Sequence, residues 1–155
     1  MPADVRQLQA DFAMFDQRGQ LAAIAEAKKR PATDATWAAA WFRNYLAHQQ
    51  SVTAPYMLLI TPEKMYLWKR TSGAQSAEPS YAADARKVFS FYLKRSDLHA
   101  SELSGETFEF LVGTWLNDLA HRVWQPSEPE ERRLLVESGL LEAVADGRVV
   151  SDIAA

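Results

Sequence analysis

Three side chains near the start of the chain have the types and the spacing that metal-assisted hydrolysis requires. Asp11 lies in the first of two short apolar runs, and Glu26 and Lys28 lie at the end of the second. Residues two apart in a strand point to the same face, so Glu26 and Lys28 should lie side by side. Carboxylate and carbonyl oxygens suit Mg²⁺ or Mn²⁺. The pattern therefore predicts a metal site formed by Asp11, Glu26 and the backbone carbonyl of Ala27.

The chemistry that such a site supports is the hydrolysis of a phosphodiester bond. A bound ion polarises a phosphate oxygen and lowers the pKa of a bound water molecule. A neighbouring lysine orients that water or neutralises the charge that develops on the phosphate. Asp11, Glu26 and Lys28 are therefore the predicted catalytic residues. The alternative is a surface Glu–Lys pair at a strand end, with an unrelated aspartate.

Four further cations are candidates for contact with a nucleic-acid backbone. They are Lys29, Arg30, Arg43 and Lys69. For Lys29 and Arg30, solvation of a loop is slightly favoured over phosphate contact, and Arg43 is equally compatible with capping or bracing the sheet. Lys69 belongs to a basic stripe beside Tyr66 and Trp68, an arrangement that suits single strands or flipped bases. For the two aromatic rings, packing in the core is the favoured interpretation.

A β-hairpin must bring the three site residues together. The run from Leu8 to Phe15 alternates with a period of two, a turn follows at 16–19, and a second apolar run covers 21–27. If residue 15 pairs with residue 20, Asp11 lies opposite Ile24 and Glu26 is its diagonal neighbour. A register slip of one residue would turn Asp11 to the other face.

The rest of the chain predicts a small mixed sheet flanked by helices, an α/β (α+β) fold with a helical C-terminal half. A helix follows Pro31, a second hairpin covers 56–60 and 65–68, and helices cover about 83–94, 106–124 and 129–136, followed by a short segment at 139–145. One face of the first helix should carry Trp37, Ala40, Trp41, Asn44, Tyr45 and His48. We interpret 1–155 as a single domain, with a core at 1–70, an exposed loop at 71–82 and a helical completion and tail at 83–155.

Composition excludes several classes of site. The chain has no cysteine, which removes disulfides and thiolate zinc sites, and its three histidines are scattered. No glycine-rich phosphate loop or Gly-x-Ser-x-Gly elbow is present. The absence of an apolar leader and of a long apolar stretch leads us to expect a cytoplasmic protein with no membrane partner. Net charge is −3, but residues 1–95 carry 13 Lys/Arg against 8 Asp/Glu, which permits a local phosphate-attracting face.

The hairpin ADFAMFDQRGQLAAIAEAKKR resembles the core motif of PD-(D/E)xK, or restriction-endonuclease-like, nucleases. In that motif an Asp on one strand is followed across a hairpin by Glu-x-Lys at the end of the next, and Asp11, Glu26 and Lys28 match it. The stretch WAAAWFRNYLAH with APYMLLITPEKMYLWKR is similar to uncharacterised bacterial proteins of this superfamily. The similarity covers roughly residues 6 to 70, and loosely the helix ending WLNDLAHR. Superfamily members usually have a helix before the first core strand, whereas only seven residues precede Leu8 here.

The resemblance implies a Mg²⁺- or Mn²⁺-dependent nuclease that acts on DNA or, as an alternative substrate, RNA. Because the chain is small, a homodimer or a partner protein is expected to supply further contact surface. The alternative is a catalytically inactive nuclease fold that serves protein–protein assembly or nucleic-acid binding. In that case the helix 106–124 and the tail from Leu134 to Ile153 would be its docking surfaces.

Overall fold

The computed structural model describes residues 10–48, 54–70 and 75–151. Six strands and five helices follow one another along this part of the chain. The strands are β1 Phe12–Phe15, β2 Leu21–Ala27, β3 Tyr56–Ile60, β4 Lys64–Lys69, β5 Tyr81–Asp84 and β6 Arg148–Ser151. The helices are α1 Ala35–His48, α2 Arg86–Tyr92, α3 Gly105–Ala120, α4 Pro129–Arg132 and α5 Leu140–Val144, with a 3₁₀ turn at Ala100–Glu102 and a π-helical turn at Arg133–Glu137.

The strands form one mixed sheet in the order β5-β4-β3-β2-β1-β6. Strands β2 and β3 are parallel, and the other neighbouring pairs are antiparallel. A parallel pair needs a crossover connection, and α1 provides it. The predicted mixed sheet flanked by helices is therefore confirmed.

Helices cover both faces of the sheet. On one face, β-strand side chains such as Phe12 and Leu58 pack with Trp115 of α3 and Leu140 of α5. On the other face, a second cluster includes Ile24, Leu59 and Trp68 from the strands together with Ala38 and Phe42 from α1. Strand β3 is buried at all five positions, which explains its uninterrupted apolar sequence YMLLI.

The first hairpin forms, but its register differs from the prediction by two residues. Phe15 pairs with Leu21 rather than with Gln20, so the turn is one residue longer than expected. A β-bulge between Met14 and Phe15 then adds a second residue, so that Phe12 pairs with Ala25. The two shifts of one residue add up to a shift of two. Because strand side chains alternate with a period of two, the residues of β1 keep their predicted faces relative to β2.

The position of Asp11 is corrected accordingly. Asp11 immediately precedes β1, and continuing the pairing of Phe12 with Ala25 places it level with Glu26 instead of Ile24. The two carboxylates remain on the same face because the total shift is even. Residues 8 and 9, the first two of the predicted strand, lie outside the described residues.

Two strands in the C-terminal half were not predicted. Strand β5 starts within the segment interpreted as the end of a loop, and α2 begins at Arg86 rather than near residue 83. Strand β6 pairs with β1, whereas the sequence suggested only a tail after Gly147. Both strands are short edge strands of four residues, and neither has a continuous buried apolar run. Their sheet pairing therefore depends on tertiary contacts more than on local pattern.

The face that α1 turns to the sheet also differs from the prediction. Its buried residues are Ala38, Ala39 and Phe42, while Ala40 and Asn44 are exposed. Small alanine side chains let the helix approach the sheet closely, and the larger aromatic residues occupy its flank. Trp37, Trp41 and Tyr45 are consequently half-buried.

No helix within the described ranges is both long and apolar enough to cross a membrane.

Candidate metal site

Asp11 is fixed against the end of β2 by a hydrogen bond across the hairpin. Its Oδ2 atom accepts the backbone N–H of Ala27 at 2.9 Å. The side chain thus takes the place of a backbone carbonyl just where β1 begins. In an extended strand the N–H and the C=O of one residue point to the same side. The Ala27 carbonyl is therefore expected to be directed toward the same edge of β2 as Asp11.

Glu26 occupies the last buried position of β2. Only 7 % of the residue is exposed, and it lies level with Leu59 of the parallel strand β3. Lys28 follows two residues later, and its backbone N–H donates to the carbonyl of Ile60 at 2.9 Å. The Nζ atom of Lys28 lies 3.7 Å from Oε2 of Glu26. The structure therefore places a half-exposed ammonium group beside a buried carboxyl group, as the strand period predicted.

The environment of Glu26 favours its protonated form. Burial raises the pKa of Glu26 to about 8, with hydrogen bonding to Asp11 and repulsion from Asp11 acting in the same direction. Lys28 lowers the pKa of Glu26 by a smaller amount, and Glu109 of α3 contributes a further weak repulsion. Without a cation, the Glu26 side chain therefore keeps a proton at neutral pH that an ordinary glutamate would release.

Tyr45 of α1 reaches the same region and was not identified from sequence as a site residue. Its hydroxyl is buried and has no hydrogen-bond partner among the residues that the structure describes. Burial and the charge of Glu26 together raise the pKa of Tyr45 to about 12. Its ring stacks on Trp41, with centroids 5.3 Å apart. The aromatic residues at 37, 41 and 45 follow a helical spacing, but sequence does not show which one approaches Glu26.

The donor set fits a hard divalent cation that retains water ligands. Asp11 and Glu26 supply carboxylates, and Ala27 supplies the expected carbonyl. Within 10–48, 54–70 and 75–151, no group of three or more His, Asp or Glu side chains is arranged to hold a metal ion. Mg²⁺ commonly binds through one or two carboxylates and keeps several waters, whereas Ca²⁺ takes six to eight oxygen ligands. The residues present are thus compatible with Mg²⁺ or Mn²⁺.

The other predicted cations are dispersed around this site. Lys29 and Arg30 follow β2 and are exposed. The guanidinium carbon of Arg30 lies 5.7 Å from the centroid of the Trp37 ring. Arg43 is exposed on α1. None of these three is part of the cluster formed by the predicted catalytic residues.

Lys69 lies away from Asp11 and Glu26, on another strand of the sheet. It pairs with Tyr56 at the opposite end of the β3–β4 hairpin, while Tyr66 is the β4 residue level with Leu59 and hence with Glu26. Three strand residues correspond to about 10 Å. Strand alternation also turns Lys69 to the face opposite Tyr66. Lys69 therefore does not join the carboxylates.

The aromatic residues beside the predicted basic stripe belong to the core. Tyr66 and Trp68 are each 1 % exposed. The Tyr66 hydroxyl shares a hydrogen bond with Oγ1 of Thr33, and Nε1 of Trp68 donates to the carbonyl of Ala77. Their rings are therefore unavailable for stacking on bases, in agreement with the favoured interpretation.

The C-terminal tail contributes several side chains to the core. Four of its side chains are completely buried and belong to the larger cluster. They are Leu134, Leu135, Leu140 and Val144. Trp115 of α3 is also completely buried. These side chains close one face of the sheet, whereas Phe110, Val123 and Val136 of the same two segments are exposed.

No family model, curated protein or solved structure matches this chain.

Proposed function

We propose that this protein is a Mg²⁺- or Mn²⁺-dependent nuclease that hydrolyses phosphodiester bonds in DNA. The observation that supports this proposal best is the clustering of Asp11, Glu26 and Lys28 at one end of the β1–β2 hairpin. Asp11 is bonded to Ala27 between the other two residues, and Lys28 is 3.7 Å from Glu26. These are the residues that match the PD-(D/E)xK motif.

The carboxyl pair provides a reason for a cation to bind. Burial raises the pKa of Glu26 most, and the neighbouring Asp11 raises it further, so ionisation of both acidic groups is unfavourable without a cation. A divalent cation would compensate both negative charges and take the place of the proton. When bound, it would polarise a phosphate oxygen and acidify a water molecule.

Lys28 is suited to act on the substrate because its side chain is 47 % exposed while that of Glu26 is 9 % exposed. Its ammonium group can therefore contact a phosphate that reaches the site from solvent. In this position it would orient the attacking water or neutralise charge on the scissile phosphate. Exposed Lys29, Arg30 and Arg43 would add attraction for the nucleic-acid backbone.

The experiment that tests this proposal is a cleavage assay on duplex, single-stranded and branched DNA and on RNA, with Mg²⁺ and with chelator. Wild-type protein should cut at least one substrate in Mg²⁺ only. Lys28→Ala should reduce cleavage at least a hundredfold and retain the fold. Lys69→Ala is the matched control, since Lys69 lies about 10 Å further along the sheet on the other face, and it should retain cleavage. Undiminished cutting by Lys28→Ala would overturn the assignment of Lys28.

A second candidate function is a catalytically inactive module that binds nucleic acid or a partner protein. The observation that favours it is the small donor set, which has two carboxylates and, in the described part of the chain, no third acidic or histidine ligand in place. This function predicts binding without Mg²⁺-dependent cutting. A gel-shift assay that detects binding, together with an inactive cleavage assay, would favour the module. Sedimentation of the same sample would show whether a homodimer forms.

A further inference from the structure

The segment between β2 and α1 carries Arg30 close to the candidate site. The backbone N–H of Arg30 donates to the carbonyl of Lys28 at 2.9 Å, and the backbone N–H of Lys28 donates to the carbonyl of Ile60 in β3. Arg30 is two residues beyond Lys28, so their Cα atoms are at most about 7 Å apart. The tight turn at this point therefore keeps Arg30 next to the predicted catalytic lysine.

Contacts of the following residues hold this segment against the sheet. The backbone N–H of Ala32 donates to Oε1 of Glu63 at 3.2 Å, and Ala32 has a φ of 55°. A left-handed backbone is rare for a residue with a Cβ atom and persists where surrounding contacts hold it. The hydroxyl of buried Thr33 shares a hydrogen bond with Tyr66 of β4. These contacts define the path of the chain from the end of β2 to α1.

The side chain of Arg30 lies over the ring of Trp37 near the start of α1. Its guanidinium carbon is 5.7 Å from the ring centroid, and the ring of Trp37 is 6.4 Å from that of Tyr66. Tyr66 is level with Leu59 and hence with Glu26. Tyr66 and Leu59 belong to the apolar cluster beneath α1, on the face to which strand alternation also turns Glu26. Trp37 therefore holds the guanidinium on the same face of the sheet as the candidate site.

We infer that Arg30 binds the phosphate next to the scissile one and thereby selects a polynucleotide strand, with successive phosphates, as the substrate. This inference rests on the proposed function, because it requires the scissile phosphate to lie at Lys28. Arg30 is exposed, and contact with the Trp37 ring restricts its side chain without using its hydrogen-bond donors. A planar guanidinium forms two parallel hydrogen bonds to a phosphate, whereas a lysine ammonium acts as a point charge.

The test compares wild type, Arg30→Gln and Arg30→Lys in the cleavage of a short labelled thymidine oligonucleotide in Mg²⁺. Loss of one charged hydrogen-bonding group should raise KM about tenfold in Arg30→Gln. Arg30→Lys keeps the charge but loses the planar fork, and its KM should still be about threefold higher than that of wild type. In both variants kcat should change less than about twofold, because a lost contact that serves binding alone appears in KM.

Trp37→Leu tests whether the ring holds the guanidinium in place. This substitution should raise KM in the presence of Arg30 and have little further effect in Arg30→Gln, since residues that act together give non-additive effects. Arg18→Gln is the matched control, because Arg18 is an exposed arginine in the turn that precedes β2, at the opposite end of that strand from Lys28. This control should keep the wild-type KM. Thermal unfolding of each variant checks that the fold is retained.

A wild-type KM in Arg30→Lys would overturn the inference and leave the nuclease proposal intact, because general charge attraction would then account for the role of Arg30. If wild type does not cut, the dissociation constant for the same oligonucleotide is measured by fluorescence anisotropy in chelator. Binding that is about tenfold weaker in Arg30→Gln and about threefold weaker in Arg30→Lys would then support the phosphate contact, although the nuclease proposal fails. If wild type neither cuts nor binds the oligonucleotide, both fail.

Discussion

The Oδ2 atom of Asp11 lies 2.9 Å from the backbone nitrogen of Ala27, which ties the first predicted acid to the strand that carries the second. A carboxylate has two oxygens and accepts several hydrogen bonds. The bond to Ala27 therefore leaves capacity for an ion while it restrains the side chain. This bond to Ala27 keeps Asp11 beside the strand that carries Glu26 and needs no metal, so the site should be largely formed before any cation binds.

Asp11→Asn tests the contribution of that carboxylate to cation binding. Asparagine retains an oxygen that can accept the Ala27 N–H, but it removes the negative charge. We expect the rise in melting temperature that Mn²⁺ produces in wild type to disappear in this variant. Thermal unfolding with and without Mn²⁺ provides the measurement.

Asp16→Asn is the control for this substitution in the same hairpin. Oδ1 of Asp16 accepts the backbone N–H groups of Arg18 and Gln20 within the turn, a role that asparagine also fulfils. This variant should retain the full Mn²⁺ response. An equal response in Asp11→Asn and Asp16→Asn would show that the ion does not bind at Asp11.

Glu26→Gln tests the raised pKa through the pH dependence of stability. An unfolded glutamate releases its proton near pH 4.5, whereas folded Glu26 retains it until about pH 8. Between these values the folded state binds more protons, so the contribution of Glu26 to stability is full below pH 4.5 and is lost as pH rises toward 8. The loss is at most about 1.4 kcal/mol per pH unit.

Glutamine has no proton to release and is expected to remove this dependence. In chelator, the free energy of unfolding of Glu26→Gln minus that of wild type should therefore increase between pH 5 and pH 8 and then level off. Urea unfolding at a series of pH values measures this difference. A difference that stays constant with pH would contradict the raised pKa.

The sequence was sufficient for the parts of the site that depend on strand alternation alone. Glu26 and Lys28 are two residues apart in one strand, so their proximity follows from the backbone period. The sequence also predicted that Asp11 lies on the same face as Glu26, but it did not predict which residue of β2 lies opposite Asp11. The pairing of Asp11 depends on the bulge after Met14, and no residue type at that position indicates a bulge. The two unforeseen shifts of one residue added to an even total, which is why the predicted face was right although the register was wrong.

Features that depend on tertiary packing were not predictable in the same way. The rotation of α1 is determined by how closely Ala38 and Ala39 approach the sheet, and this rotation leaves Trp37, Trp41 and Tyr45 half-buried. Likewise, the four residues of β6 have no distinctive pattern and form a strand because the outer edge of β1 is available. Helices and central strands were predicted better, because their apolar periodicity is local.

Glu131→Gln should weaken the C-terminal half of the fold. Glu131 is buried, and its carboxylate accepts Nε1–H of Trp124 at 2.7 Å and the backbone N–H of Ser127 at 3.0 Å. Glutamine places an NH₂ group where one of these acceptors is needed. We expect a loss of about 1–3 kcal/mol in the free energy of unfolding, measured with urea. Glu130→Gln, at an exposed neighbouring position, should change it by no more than about 0.5 kcal/mol.

Gly147→Ala should disrupt the attachment of β6 to the sheet. A Cβ atom at Gly147 would lie 1.8 Å from the backbone carbonyl oxygen of Phe15, and a backbone atom cannot move aside as the end of a side chain can. Phe15 pairs with Arg148, the first residue of β6. The clash should therefore separate β6 from β1 and lower the free energy of unfolding by at least about 3 kcal/mol.

Gly105→Ala is the matched control for this substitution, because a Cβ at Gly105 meets nothing within 4 Å. Gly105 is the first residue of α3, where alanine reduces the entropy of the unfolded chain and should stabilise the protein by about 0.5 kcal/mol. Urea unfolding of both variants, with amide hydrogen exchange of 148–151, gives the comparison. Rapid exchange in β6 of Gly147→Ala alone is expected, since an edge strand that has lost its partner exposes its amides. Unchanged protection there would mean that β1 does not need the packing at Gly147 to hold β6.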